Sequence, residues 1–194
     1  MDLARASDMV TDASYALGLS TEQTAAMVDQ MAKASSKSNT SVEQLGDAML
    51  AIGATGQMLS GGTTELSTAL GILADNGIKG AEGGTKLRNV ILSLANPTDK
   101  GADSLEALGV AVYDAEGTMR PMADIIGDLN GAMSDFTDAQ KTQVIGQIFN
   151  KADIASVNAL LNTSAESWGE LSSAIDDSSG AASNMANTQL DNLA

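Results

Sequence analysis

The 194-residue chain contains no cysteine and no histidine. Without cysteine it can form no disulfide, no thiol nucleophile and no thiolate metal site, and the redox compartment stays open. Without histidine it lacks the commonest general base and the commonest metal ligand. Aromatic residues make up only 3%. A core must therefore be assembled from Ala, Leu, Ile, Val and Met, whose small side chains let helix axes approach. Positive charge is scarce as well: 10 Lys+Arg stand against 25 Asp+Glu, a formal charge of −15. A phosphate backbone repels such a surface, which removes the term that dominates nucleic-acid binding. The same charge discourages attachment to anionic membranes. No apolar run approaches the ~20 residues that span a bilayer. Asp2 and Asp8 flank the first apolar residues, where a secretory signal would be basic and then apolar.

What is present is a helical pattern. Apolar residues make up 43%, enough for a real core and too many for global disorder. Ser20 with Gln23, Thr40 with Glu43, Thr137 with Gln140 and Thr163 with Glu166 fit the capping box, in which hydroxyl and later side chain each satisfy an orphan backbone N–H. Gly18, Gly77 and Gly109 stand where helices should stop, since glycine takes φ > 0 without steric cost. Between these marks run single-face stripes: Val42, Leu45, Met49, Ile52 and Leu59; Met122, Ile126, Leu129 and Met133; Ile154, Val157 and Leu161; Trp168, Leu171 and Ile175. Ser20-Thr21-Glu22, Ser41-Val42-Glu43 and Thr63-Thr64-Glu65 each open a helix. Their glutamates are spaced by 21 and then 22 residues, a period that suits helix-plus-turn units packed as antiparallel neighbours.

One stretch departs from helical spacing. Val110 to Met122, "VAVYDAEGTMRPM", begins with β-branched and aromatic residues. Asp114-Ala115-Glu116-Gly117 reads as a turn, Thr118 to Arg120 as a returning strand, and Pro121 as a helix start. The expectation is a small β-hairpin near residues 110–121, supported by helices because a lone hairpin is marginal in water.

The most suggestive chemical motif is "DNGIKGAEGGTKLRNVILSLANP", Asp75 to Pro97, with Gly77, Gly80, Gly83 and Gly84 ahead of an apolar helix pattern from Leu87 to Leu94. Glycine-rich loops that feed a helix can cradle phosphate. A P-loop, however, needs Lys followed by Ser or Thr after its last glycine, and a strand before its first. Here Thr85-Lys86 reverses the order, and Leu66 to Asp75 is helical in pattern. The reading is a tight interhelical turn whose glycines admit close backbone packing. Carboxylate neighbours such as Asp176-Asp177, Asp135 with Asp138, and Asp114 with Glu116 are expected by chance among 25 acids, with solvated faces as the default. An EF-hand fails because Gly117 is misplaced and Ile125 stands at the last ligand position. There is no G-x-S-x-G elbow. A Ser35–Lys37 pair is better explained as part of a polar loop, "KASSKSNTS". The methionines read as core filling rather than as an adaptable partner surface.

The order and spacing of several pieces resemble the core region of phage tail tape-measure proteins. These are a helix ending in Ala-Asp-x-Gly-Ile-Lys-Gly (Ala74 to Gly80), then Gly84-Thr85-x-Leu87-Arg88 opening the next helix, then Leu108-Gly109-Val110-x-Val112-Tyr113-Asp114-x-x-Gly117. "QVIGQIFNKADIASVNALL", Gln143 to Leu161, is similar to the family's following segment, with Asn150 where a glycine is expected. The resemblance spans residues 5–175; the upstream units, Ala4 to Gly62, match in style alone. Both ends read as cut from a longer helical chain, because Leu3, Val10 and Leu17 keep a seven-residue step from the start and Met185, Gln189 and Leu193 run on without a stop signal.

The resemblance implies a non-enzymatic structural protein of the virion tail. It would set tail length during assembly, occupy the tube lumen until DNA ejection, and reside in the host cytoplasm before assembly. The implied partners are the tail tube protein, tail assembly chaperones, baseplate or tail-tip proteins and further copies of itself, with no nucleic acid and no stable membrane insertion. The alternatives are a cell-wall hydrolase or a membrane-active module of a tail or tail-like injection device. The fold class expected is mainly α, packed helical hairpins with the small β-hairpin insertion. Residues 1–62 form an N-terminal helical region, 63–177 the tape-measure core and 178–194 a helical extension. No catalytic, cofactor-binding or metal-binding residue is assigned, and no cofactor.

Overall fold

The computed structural model describes residues 3–191, and the expected Leu193 position lies outside them. The helices are α1 (Leu3–Leu17), α2 (Thr21–Lys37), α3 (Val42–Ile52), α4 (Gly62–Asp75), α5 (Gly80–Ala95), α6 (Asp99–Ala107), α7 (Met122–Ala132), α8 (Asp138–Ile148), α9 (Ile154–Asn162), α10 (Ala165–Asp176) and α11 (Ala181–Asp191). Short 3₁₀ turns, Gly53–Met58 and Lys151–Asp153, follow α3 and precede α9. The mainly helical class holds.

Local chemistry sets the helix ends. The capping boxes at Ser20 and Thr137 form in full, each hydroxyl accepting the backbone N–H three residues on while the glutamine side chain returns to the cap. At the other two sites the cap lies one residue later than expected. Ser41 accepts from Gln44 N–H, and Ser164 from Ser167 N–H; adjacent hydroxyls compete for one role, and local sequence does not choose between them. The three stop glycines share one geometry, with φ of 64°, 82° and 68° at Gly18, Gly77 and Gly109. The following residue's N–H reaches back to the carbonyl five positions earlier, as from Ile78 to Leu73 at 2.9 Å and Val110 to Leu105 at 3.0 Å. This is a Schellman motif.

Packing departs from simple hairpins. The most extensive helix pair is α3 with α5, and α1 packs on α3, α2 on α4, α6 on α8 and α7 on α9 more than most helices pack on their chain neighbours. Helices thus associate with the next but one. Glycines permit the approach where α1 crosses α3 and where α3 crosses α5. A Cβ built on Gly46 of α3 would lie 1.9 Å from Met9 Sδ of α1, and one on Gly84 of α5 would lie 2.0 Å from the Ala48 carbonyl oxygen of α3. Those approaches gain dispersion contacts that a turn-linked neighbour with a Cβ cannot match.

The buried cluster runs from Met9 to Ile175 and is almost wholly aliphatic. Met27, Met31, Met49 and Met122 are among its largest fully buried side chains. Leu45, Met49, Ile52 and Leu59, the whole second stripe of α7, and Val157 with Leu161 are buried as their spacing requires. In α1 the inward residues are Met9, Ala13 and Leu17, a four-residue step, while Val10 is half-buried.

The expected β-hairpin is not present. Among the described residues there is no strand, and residues 110–121 form a loop closed by one isolated antiparallel bridge, Tyr113 with Met119. Asp114 N–H donates to Thr118 O and Arg120 N–H to Val112 O, both at 2.9 Å. The ladder cannot lengthen. Val110 N–H is committed to ending α6, and Met122 N–H, the next donor in register with Val110 O, is given to Glu65. Gly117 does adopt the left-handed turn conformation, φ 82°. Val110, Val112 and Met119 are buried, so the β-branched signal reflects burial of a loop rather than strand pairing. Asn150, read as able to replace a left-handed glycine, is extended at φ −66°, ψ 142°.

Candidate functional site

The glycine-rich stretch is the first place to look for chemistry, and the Thr85 and Lys86 side chains on which a P-loop reading depends are engaged within the fold. The helix begins at Gly80, seven residues before the apolar pattern that announces it. Lys79 Nζ donates to Asn39 O at 3.2 Å, and Asp75 Oδ1 accepts Asn39 N–H at 2.6 Å, so the turn after α4 is stitched to the turn after α2. Thr85 Oγ1 donates to Ala81 O, and Lys86 Nζ donates to Ala152 O at 2.5 Å and to Asp153 Oδ1 at 3.1 Å. Gly84 is covered by the backbone of α3. Gly84 forms the packing joint with α3 that the sequence reading expects of the glycines, while Gly77 and Gly80, at φ 82° and 63° with nothing within 4 Å of a built Cβ, shape the turn itself.

The acidic pairs read from sequence also stay separate from any pocket chemistry. Asp135, Asp138, Asp176 and Asp177 are exposed. Asp114 Oδ1 accepts the N–H groups of Glu116 at 3.0 Å and Thr118 at 2.8 Å, which shapes its own loop. Ser35 Oγ donates to Ala32 O, not to Lys37. Among the described residues no group of three or more acidic side chains is placed to hold a metal ion. None of these helices is long and apolar enough to cross a membrane.

Two buried carboxylates that sequence reasoning did not single out organise the interior. Asp153 is 2% exposed at its side chain, paired with Lys86, and accepts Asn89 Nδ2 at 3.3 Å, tying the turn before α9 to α5. Glu65 is 8% exposed. Its Oε2 accepts Gly61 N–H at 2.8 Å at the start of α4, and its Oε1 accepts Met122 N–H at the start of α7. Neither helix has a capping side chain of its own, because Gly61 and Pro121 occupy the cap positions. One carboxylate therefore satisfies both N-termini, where helix dipoles favour negative charge. The three glutamates of the weak repeat consequently diverge. Glu43 pairs with Arg5 at 2.8 Å. Glu22 is exposed, and hydrogen bonds from its own backbone N–H and then from the Ser20 hydroxyl hold its carboxyl below the usual range. Glu65 is a buried double cap.

The surface offers grooves rather than a reaction site. One of about 640 Å³ lies between α7 and α10, where Gly127, Gly131 and Gly169 leave open space above Trp168 and Leu161. Glu65 borders it with both oxygens already engaged. A second, of about 580 Å³, is lined by amides and by Lys100 and Lys151. A third, of about 820 Å³, lies among α1, α2 and α11 beside Tyr15, which is 83% exposed. Two carboxylates, Glu65 and Asp124, line the first groove, but both Glu65 oxygens already accept backbone N–H groups; the second groove has no carboxylate and the third has Asp29 alone.

Comparison with known proteins then bears on what this surface belongs to. The family of phage-related minor tail proteins matches residues 1–150. A tape measure protein of Pneumococcus phage Dp-1 is 31% identical over 193 residues, covering all of this chain and 17% of its own length. A probable tape measure protein of Escherichia phage P2 is 27% identical over 203 residues, covering all of this chain and 25% of its own. The chain thus spans a quarter or less of these curated relatives. No solved structure matches it.

Proposed function

The chain belongs to the phage-related minor tail protein family, and on that premise we propose that it is a segment of a tail tape measure, a structural element that sets tail length and contributes no catalysis. The observation that carries this reading is the likeness to the Dp-1 tape measure protein, which runs the full length of this chain. Two further features support it: the buried carboxylates Glu65 and Asp153 join helices, and most of the described chain is α-helix, a form with a fixed rise per residue.

In this reading the segment occupies the tube lumen until DNA ejection and is made in the host cytoplasm. It meets the tail tube protein, assembly chaperones, baseplate or tail-tip proteins and further copies of itself. An α-helix advances 1.5 Å per residue, so in-frame removal of residues 1–62 from the full-length protein shortens the assembled tail by about 90 Å if the segment lies extended as helix. Electron microscopy of tails from the deletion phage measures this. Tails of unchanged length would overturn the length-setting role.

The −15 charge also has a consequence in a tube that DNA traverses. A surface of this sign neither releases counterions from a duplex nor holds it. A gel shift at low salt with the purified chain is expected to show no complex, and tight binding there would contradict the lumen reading.

A further inference from the structure

The last helix is held differently from the others. No residue of α11 is buried, and Leu190 is 65% exposed. The buried core ends just before it, at Ile175 and Ser178. Between core and helix stands Gly180 at φ 76°, a conformation that costs glycine little. The helix is held on α2, which packs along it as extensively as α1 packs on α3 and caps its start with one side chain. Asp29 of α2 accepts Gly180 N–H at Oδ2, 2.8 Å, and Ala182 N–H at Oδ1, 3.0 Å. These are two of the donors that a helix start leaves without intrahelical partners, and the acidic residue that would ordinarily cap them locally is absent from the first turn. The remaining contact is with α2, through the half-buried Ala181, Ala182 and Met185.

We propose that α11 is a detachable strap, latched to α2 by Asp29 and hinged at Gly180, which opens without unfolding the rest of the chain. Opening breaks two charge-assisted hydrogen bonds and the packing of Ala181, Ala182 and Met185 along α2, while the aliphatic cluster from Met9 to Ile175, to which α11 contributes no residue, is untouched. It also lengthens the existing groove beside α11, since Val10, Leu19 and Val28 already line it and α11 forms one of its edges. The proposal stands on this packing and does not rest on the tail assignment.

Hydrogen exchange read by mass spectrometry on the 194-residue chain tests it. The α11 amides are expected to exchange roughly a hundredfold faster than those of α3 and α5, as a locally opening unit does. Asp29→Ala is expected to accelerate α11 by roughly a further tenfold, the scale of losing charge-assisted hydrogen bonds, with α3 and α5 unchanged. Asp29→Asn, which keeps one acceptor oxygen, is expected to fall between. Exchange of α11 in step with α3 and α5 would overturn the strap. An unaltered α11 rate in Asp29→Ala would overturn the latch, and so would acceleration of every helix at once, because Asp29 would then support the whole fold.

Discussion

Gly84→Ala is expected to destabilise the chain by about 3–5 kcal/mol, in the upper range for overpacking because the obstacle is backbone. The added Cβ would stand 2.0 Å from the Ala48 carbonyl oxygen and 2.7 Å from the Ala48 Cα. A flexible side chain could swing aside, but a helix backbone cannot. To admit one methyl group, α3 and α5 must separate along their whole crossing, the most extensive helix contact in the fold. Leu45, Met49, Leu87 and Ile91, fully buried on the two helices, lose close packing as they do. At 2–4 °C per kcal/mol for a chain of this size, the melting temperature should drop by roughly 10 °C. The control is Gly127→Ala. Gly127 lies inside α7 with nothing within 4 Å of its missing Cβ, so alanine's higher helix propensity should stabilise by about 0.5–1 kcal/mol. If both variants melt alike, the glycines do not differ as the structure has them.

Glu65→Ala is the second large effect. Two helix N-termini lose their shared acceptor together; Gly61 is exposed and its N–H turns to water, but Met122 is fully buried and its N–H is left unpaired, at a cost of about 1–3 kcal/mol. A loss of about 1–3 kcal/mol in urea unfolding is expected. Glu65→Gln retains one carbonyl oxygen but turns an amide N–H₂ toward the other donor, so it should recover only part. The loss has a recognisable location. Met122 and the first turn of α7 should show faster amide exchange, since Pro121 offers no substitute cap. A Glu65→Ala variant as stable as the parent would mean that water, not this carboxylate, serves those N–H groups.

The sequence makes some of this plain and hides the rest for definite reasons. Ser20 and Thr137 are legible because their partners lie three residues away, and the stop glycines because αL geometry selects glycine locally. The Glu65 cap is not legible, because Met122 lies 57 residues on and nothing near Glu65 announces it. Asp153 is hidden in the same way, its Lys86 partner being 67 residues distant. The missing hairpin is a failure of a different kind. β-branched residues record a face turned to the core, as Val110 and Val112 are in a loop otherwise mostly exposed, but ladder length depends on which N–H groups neighbouring elements have already claimed. For the site the legible part was the reversed Thr85-Lys86 order; in the fold Thr85 bonds a carbonyl of its own helix and Lys86 reaches Ala152 O and Asp153. The family likeness rested on order and spacing of short pieces, which survives where pairing details do not.

Association of each helix with the next but one gives the fold a parity. Odd-numbered α1, α3 and α5 share one succession of crossings and even-numbered α2 and α4 another. Excising a single helix from this stretch would shift every later helix into the wrong succession, setting Met9 and Ala48 against surfaces without a Gly46 or a Gly84 to receive them. Removing or adding two at a time keeps the alternation intact. Any lengthening or shortening of this part of the chain by duplication or loss should therefore proceed in helix pairs.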